Sequence, residues 1–208
     1  MKTKSLFILL LGFVSLAQTN LGAFDLPADP FFLGLTAGHA TLDHDVFNVP
    51  TGDKIGRTSD ATNRFYAVET GVRLHKYLAV SAAWEDYGDS FHGQFSTSRS
   101  LYSTGTVAFE VLTPYRVSVH GFTGALIPTL PLTDRVSLFG KLGLEWWNLR
   151  FRYGGGLITK PDETISGHDL LLGGGADVAI VGRWSARLQY EHLNLAMDSY
   201  SAGLLFRF

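Results

Sequence analysis

Apolar residues alternate with polar or small ones along the chain, in segments of about ten residues separated by turn-forming stretches. This period of two marks strands with two unlike faces. In residues 31–41, Leu33, Leu35 and Ala37 alternate with Gly34, Thr36 and Gly38. Residues 65–74 set Tyr66, Val68, Val72 and Leu74 against Ala67, Glu69, Gly71 and Arg73. Only His75 and Lys76 separate these from residues 77–87, where Leu78, Val80, Ala82 and Trp84 oppose Ala79, Ser81, Ala83 and Glu85; so short a connection predicts a hairpin. The fourth segment, 116–127, is the least regular: Val117 and Val119 alternate with Ser118 and His120, but Phe122 and Leu126 break the pattern. A turn rich in Pro and Thr follows at 128–134. Residues 136–148 place Leu138, Leu142, Leu144 and Trp146 against Ser137, Lys141, Gly143 and Glu145. Residues 170–180 place Leu172, Ala176 and Val178 against Gly173, Gly175 and Asp177. After a turn at 181–183, residues 184–195 oppose Trp184, Ala186, Leu188 and Tyr190 to Ser185, Arg187, Gln189 and Glu191. The last segment, 200–208, puts Tyr200, Ala202, Leu204, Phe206 and Phe208 on one face.

A soluble sandwich alternates too, but with its apolar face inside. Here two features predict the inverse, an apolar face turned to lipid. The other face is small or charged, as suits a narrow lumen. Connections also alternate in length: 75–76, 128–134 and 181–183 are short, whereas 42–63, 88–115 and 152–168 are long, with 196–199 compact. Short turns at one end and long loops at the other are the habit of membrane-spanning barrels. The pattern therefore predicts an all-β fold, an antiparallel eight-stranded transmembrane β-barrel occupying residues 24–208. Aromatics such as Trp84, Trp146, Trp184, Tyr200 and Phe208 border its outward band of Leu, Val and Ala.

The first residues read as an export signal. Lys2 and Lys4 precede an apolar run over residues 5–14, and small residues follow at Ser15 and Ala17. The signal is expected to occupy residues 1–17, with cleavage as late as Ala23 as the alternative. The run is shorter than the ~20 residues a spanning helix needs. No later apolar run is long enough for such a helix, so anything that spans must be a closed barrel.

Composition narrows the partners. The 17 Lys and Arg nearly balance 19 Asp and Glu, which offers no basic patch to nucleic acid and no acidic tail. The chain has no cysteine, which excludes disulfides, thiol catalysis, Cys-ligated zinc and a lipid-attachment cysteine.

Three segments carry a family resemblance: PLTDRVSLFGKLG at 131–143, WSARLQYE at 184–191 and SAGLLFRF at 201–208. They resemble the OmpA-like transmembrane-barrel family, small eight-stranded barrels of the Gram-negative outer membrane. The resemblance covers residues 30–208 and is strongest after Pro131. It implies localisation in the cell outer membrane, with outer-membrane lipid and lipopolysaccharide as surroundings. The closing residues Tyr200, Leu204, Phe206 and Phe208 resemble the C-terminal signal read by the barrel-assembly machinery. Larger members carry a peptidoglycan-binding domain after the barrel; this chain ends at its last strand, so cell-wall binding is not expected.

The inward faces collect Glu69, Glu85, Glu145, Asp177 and Glu191 with Arg73, Lys141, Arg187 and Arg207, one acid in excess. Confined charges are costly unless paired. The resemblance implies that Glu69, Lys141, Arg187 and Glu191 form an ion-pair cluster in the lumen, which either fills it or rearranges to conduct. Mixed signs do not make a selectivity ring. Near the C-terminus, Glu191-His192-Leu193-Asn194 partly resembles the His-x-Ser stretch of outer-membrane lipid A deacylases. Asn194 stands where the attacking hydroxyl is needed, and Asp198 is the one acid nearby to orient the imidazole. The bland account is a histidine at a strand end. His39, His44, His92, His168 and His192 fall at outer ends or loops. Asp43 and Asp45 flank His44, but no repeated ligand spacing supports a metal, and no cofactor is expected. Neither Gly154-Gly155-Gly156 nor Gly173-Gly174-Gly175 is a phosphate loop. Three classes remain: a structural or surface-interaction barrel with a plugged lumen, a small gated channel, and a lipid-modifying enzyme. The incomplete triad argues against the enzyme, and the first class is the expectation.

Overall fold

The computed structural model describes residues 27–42, 61–89, 91–100, 108–153, 162–193 and 197–208. The expected signal segment, the Asp43-His44-Asp45 group and Asn194 lie outside these residues. The strands are β1 (Phe31–Leu42), β2 (Ala61–His75), β3 (Leu78–Asp86), β4 (Phe91–Ser100), β5 (Ala108–Pro131), β6 (Val136–Tyr153), β7 (Glu163–Val181), β8 (Trp184–Leu193) and β9 (Met197–Arg207). All pairings are antiparallel, and the sheet closes on itself through β3–β5 and β1–β9.

Nine strands occupy eight positions around the wall, because β3 and β4 both pair with β5. β3 takes Pro128 to His120, and β4 takes Val117 to Ala108. Between them the ladder is carried by Tyr87 N–H donating to Val119 O at 3.0 Å and Val119 N–H donating to Gly88 O at 3.1 Å. Gly88 sits at φ +80°, where an added Cβ would also collide with the Asn63 side chain, so the break requires glycine. Asp86 Oδ1 accepts the Gly88 N–H at 2.8 Å and fixes the turn locally. The barrel is thus the expected antiparallel eight-stranded one, with its third wall position interrupted.

Alternation decides which side chains enter the lumen. Leu138, Leu142, Leu188 and Leu204 stand outward with 43–62% of their surface exposed, an arrangement a soluble protein would avoid. Trp146, Trp184, Tyr190, Tyr200 and Phe208 are also exposed, at the rims of that band. At the seam Phe31 and Phe208 exchange backbone hydrogen bonds of 3.0 and 2.9 Å, so the last residue closes the wall against the first strand.

Three expectations are corrected. Segment 116–127 is not broken at Phe122 and Leu126. The alternation runs unchanged, with Val117, Val119, Gly121, Thr123, Ala125 and Ile127 all buried inward, while Phe122 and Leu126 face out. What changes along β5 is the face that carries the apolar residues. Secondly, the expected loop 88–115 contains β4 and the start of β5, and the expected loop 152–168 is taken up at both ends by β6 and β7, leaving 154–162 between them. Strands β5, β6 and β7 run for 24, 18 and 19 residues, well beyond the ~9–11 that cross a membrane, so one side of the wall is tall. Thirdly, the lumen is not only small and charged. Phe32, Ala79, Ile127, Phe139 and Leu205 form an apolar layer near the short-turn end. A larger one toward the long-loop end is built around Phe65, Val119, Trp147, Leu149, Leu171 and Met197.

Candidate functional site: a charged belt inside the barrel

Between the two apolar layers lies a belt of buried charge. Its side chains come from inward positions of five strands: Glu69 on β2, Glu85 on β3, Lys141 and Glu145 on β6, Asp177 on β7, Arg187 and Glu191 on β8. Each is buried, with 6% or less of its surface exposed. Long side chains need space across a narrow barrel, and glycines on adjacent strands supply it. An added Cβ at Gly121 would strike the Glu145 carboxylate, and one at Gly173 would come within 3.0 Å of Glu191 Cγ.

Two cations organise the belt. Lys141 Nζ donates to Glu191 Oε1 at 2.5 Å and lies 3.4 Å from Glu69 Oε1 and 3.5 Å from Glu85 Oε1. Arg187 is directly opposite Asp177 in the β7–β8 ladder. Its Nε and Nη2 reach the two Asp177 oxygens at 2.8 and 3.0 Å, a bidentate fork, and Nη1 reaches Glu69 Oε2 at 2.5 Å. The guanidinium also lies 4.3 Å over the Phe139 ring, so the belt rests on the apolar layer beneath it. Glu69 accepts from Arg187 and forms an ion pair with Lys141, and so joins the two cations into one network.

Toward the long-loop end the belt changes character. Tyr87 Oη lies 2.8 Å from Glu85 Oε2 and 2.9 Å from Glu145 Oε2, and Thr123 Oγ1 donates to Glu85 Oε2 at 2.9 Å. Glu145 forms no ion pair among the described residues, and its Oε1 has no hydrogen-bond partner there. A phenol has one hydrogen and can donate to only one of two carboxylates at a time.

The structure thus brings Glu69, Lys141, Arg187 and Glu191 within hydrogen-bonding or ion-pairing distance of one another through two cations. It adds Asp177 and Glu85 as direct partners, which the four-residue grouping omitted although alternation placed both inward. Tyr87 went unnoticed as a lumen residue. It continues the inward phase of Ala83 and Glu85, and that phase was the signal available.

The remaining candidates lie elsewhere. Tyr200 and Leu204 stand outward on β9, and Phe208, the residue after it, is exposed as well. Phe206 is half-buried and its ring packs 4.9 Å from that of Trp184. His192 faces outward at the long-loop end of β8. Its Nδ1 is 2.8 Å from Asp198 Oδ1, which also accepts from Tyr190 Oη at 2.6 Å. Asp198 therefore orients the imidazole, while the position two residues after His192 lies outside the described residues. No group of three or more His, Asp or Glu that could hold a metal is found among the described residues.

Comparison with known proteins bears on the fold. Residues 6–208 match the family described as the outer membrane protein beta-barrel domain. Among solved structures, the chain resembles the attachment invasion locus protein Ail of Yersinia pestis, with 15% identity, a TM-score of 0.50, and 86% of this chain and 99% of that one covered. It also resembles Neisserial surface protein A, with 14% identity, a TM-score of 0.53, and coverage of 86% and 97%. The N-terminal barrel of Pseudomonas aeruginosa OprF aligns at 9% identity and a TM-score of 0.49 over 86% of this chain and 98% of that one. No curated protein matches the sequence.

Proposed function

As a member of the outer membrane protein β-barrel family this chain is an outer-membrane barrel protein, and we propose that its lumen is plugged and its working surface is the long-loop end. The observation that carries the plug is the continuous network from Asp177 through Arg187 and Glu69 to Lys141 and Glu191, enclosed between two apolar layers. Each charge that left the network would be stranded in a confined space, at a cost of several kcal/mol. A solute crossing the lumen would have to part these pairs and then pass the apolar layer around Val119, Leu149 and Leu171.

The tall part of the wall supports the surface role. Short turns of such barrels face the periplasm and the longer connections face outside. On the outer face of the β5–β6 ribbon, exposed Arg116 stands directly across from exposed Arg152, with exposed Arg150 two residues away on the same face. Arginines at such a height are suited to the phosphates of lipopolysaccharide, whose planar pairing with guanidinium is strong. In assembly, the outward Tyr200, Leu204 and Phe208 together with Phe206 serve as the segment read by the barrel-assembly machinery. The barrel is not an enzyme in this reading: His192 and Asp198 form an oriented pair at the rim, with Tyr190 binding the same carboxylate.

A small channel is the second reading. Buried oxygens of Ser81, Ser185, Gln189 and Ser201 have no hydrogen-bond partner among the described residues, and polar groups of this kind are satisfied by water. Single-channel recording of the purified barrel in a planar bilayer separates the two. The plug predicts little conductance or brief events only, and a large steady current would overturn it in favour of the channel.

A further inference from the structure

Below the charged belt, at the short-turn end, the lumen opens into a cavity of about 160 Å3. Phe32, Ala79, Ile127 and Leu205 form part of its floor. The rest of the lining is unusual for its charge. Arg73, Arg187 and Arg207 line it from the wall, and Lys76 and Arg135 from the hairpin turns, while Asp134 and Asp177 are the only acids of its lining among the described residues. Arg187 is already matched by its fork onto Asp177 and by Glu69. Asp177 has both oxygens engaged by that fork, and Arg207 Nη2 makes only a long ion pair with its Oδ2 at 3.9 Å. Arg73 pairs with no carboxylate among the described residues. Both Arg73 and Arg207 are half-buried inward residues at this mouth, and Arg207 lies in the field of Arg73 and Arg187 as well as those of Asp177 and Asp29, the latter paired with Arg183.

Like charges confined in a partly desolvated mouth repel each other and raise the free energy of the empty site. An anion relieves that repulsion, and guanidinium presents a planar fork that matches an oxyanion with two hydrogen bonds. The volume is about five times the ~30 Å3 share of one water, room for a tetrahedral oxyanion and part of its hydration. Hydroxyls of Thr129, Thr133 and Ser137 also line the cavity. Thr133 Oγ1 is taken up as an acceptor for the N–H groups of Arg135 and Val136.

We propose that this mouth is an anion-binding site that takes a phosphoryl group, held between the guanidiniums of Arg73 and Arg207 on the periplasmic side of the belt. The group is either a free phosphate-type solute or the headgroup of an inner-leaflet phospholipid; the chemistry at the two arginines is the same. The site depends on the fold and on the mouth arginines, and not on whether the belt above it conducts.

The test is calorimetric titration of inorganic phosphate into the refolded barrel in a maltoside detergent at low ionic strength. Saturable binding at one equivalent is expected. Arg73→Gln should weaken it about tenfold and Arg207→Gln by a similar factor, the worth of a charge-assisted hydrogen bond each. Lys76→Gln, in the exposed turn, should weaken it by less than about threefold. Arg73→Lys keeps the charge and loses the fork, so it should still fold and still bind several-fold more weakly than wild type. Folding of each variant is scored by heat-modifiable gel mobility; if Arg207→Gln does not fold, the two Arg73 variants decide. Adding a short-chain anionic phospholipid then separates the sources: displacement of phosphate assigns the site to the headgroup, and retention assigns it to the free anion. No saturable heat, equal affinity for Arg73→Gln and wild type, or equal binding of chloride and phosphate would each overturn the proposal.

Discussion

The middle of the lumen and its outer third are lined from the same inward strand positions, yet one holds Lys141 and Arg187 among carboxylates and the other holds Phe65, Val119, Leu149 and Leu171. Both regions close the barrel, by different physics. In the belt each contact is directional, and removing one partner leaves a buried charge without compensation. In the apolar layer the contacts are not directional, and removing one side chain leaves a void that its neighbours partly refill. The belt therefore fails abruptly and locally, whereas the apolar layer loses stability in proportion to the volume lost.

The largest expected effect breaks the belt. Arg187→Ala strips Asp177 of its fork and leaves Glu69 with Lys141 alone, and should cost about 3–5 kcal/mol, read as the shift in urea unfolding of the reconstituted barrel. It should also admit water to the belt and raise the frequency of conductance events. A variant as stable and as silent as wild type would remove the distinction between the two regions.

Next comes the outer face, which sets the scale for misplaced charge. Leu188 adjoins Arg187 in sequence but is 62% exposed on the outside of the wall. Leu188→Arg should cost about 2–4 kcal/mol in a lipid bilayer and much less in a detergent micelle, where the side chain reaches water readily. Equal unfolding midpoints for the variant and wild type in bilayers would contradict the assigned face.

The apolar layer should respond by degrees. Leu149 is 1% exposed, and Leu149→Ala should cost about 2–3 kcal/mol, in the lower part of the range for buried leucine because this layer lies near the barrel's rim. Its conductance should stay at the wild-type level, since the belt below is untouched. New steady current in Leu149→Ala would show that the apolar layer, and not the belt, is the barrier.

The smallest effect is expected inside the belt itself. Glu145 forms no ion pair among the described residues and shares Tyr87 with Glu85. Glu145→Gln removes a carboxyl group that faces no cation among the described residues and adds an amide donor for the Tyr87 oxygen. Its stability should change by less than about 1 kcal/mol, in either direction. Glu191→Gln, which takes the 2.5 Å partner from Lys141, should lose clearly more. Equal losses for the two would mean that burial alone, and not pairing, governs the belt.

Much of this was legible from alternation. Leu138, Lys141, Arg187 and Leu188 fall on the faces their parity assigns, because a one-residue step reverses a strand side chain's direction and a closed wall leaves no freedom to slip. The apolar layers were not legible, because parity in a membrane barrel equates an apolar residue with the outside. That holds at the middle of the wall, where Leu142 and Leu188 meet lipid. It fails at Val117 and Val119, where the strand has passed the lipid band and the lumen becomes the place to bury apolar surface. β4 was hidden for a related reason: Phe91–Ser100 is rich in Ser, Gly and Thr and lacks the apolar face that marked the other strands. The Asp177–Arg187 fork depends on ladder register, which parity alone does not supply.

The belt acts as one coupled unit, and a double-mutant cycle on Glu69 and Arg187 tests that directly. Unfolding free energies are measured for Glu69→Gln, Arg187→Gln and the double variant in the same bilayer. Because Glu69 accepts from Arg187 Nη1, removing both should cost less than the two single losses together, with a coupling of about 1–3 kcal/mol. Strictly additive losses would show that the two side chains do not interact, and would contradict the account.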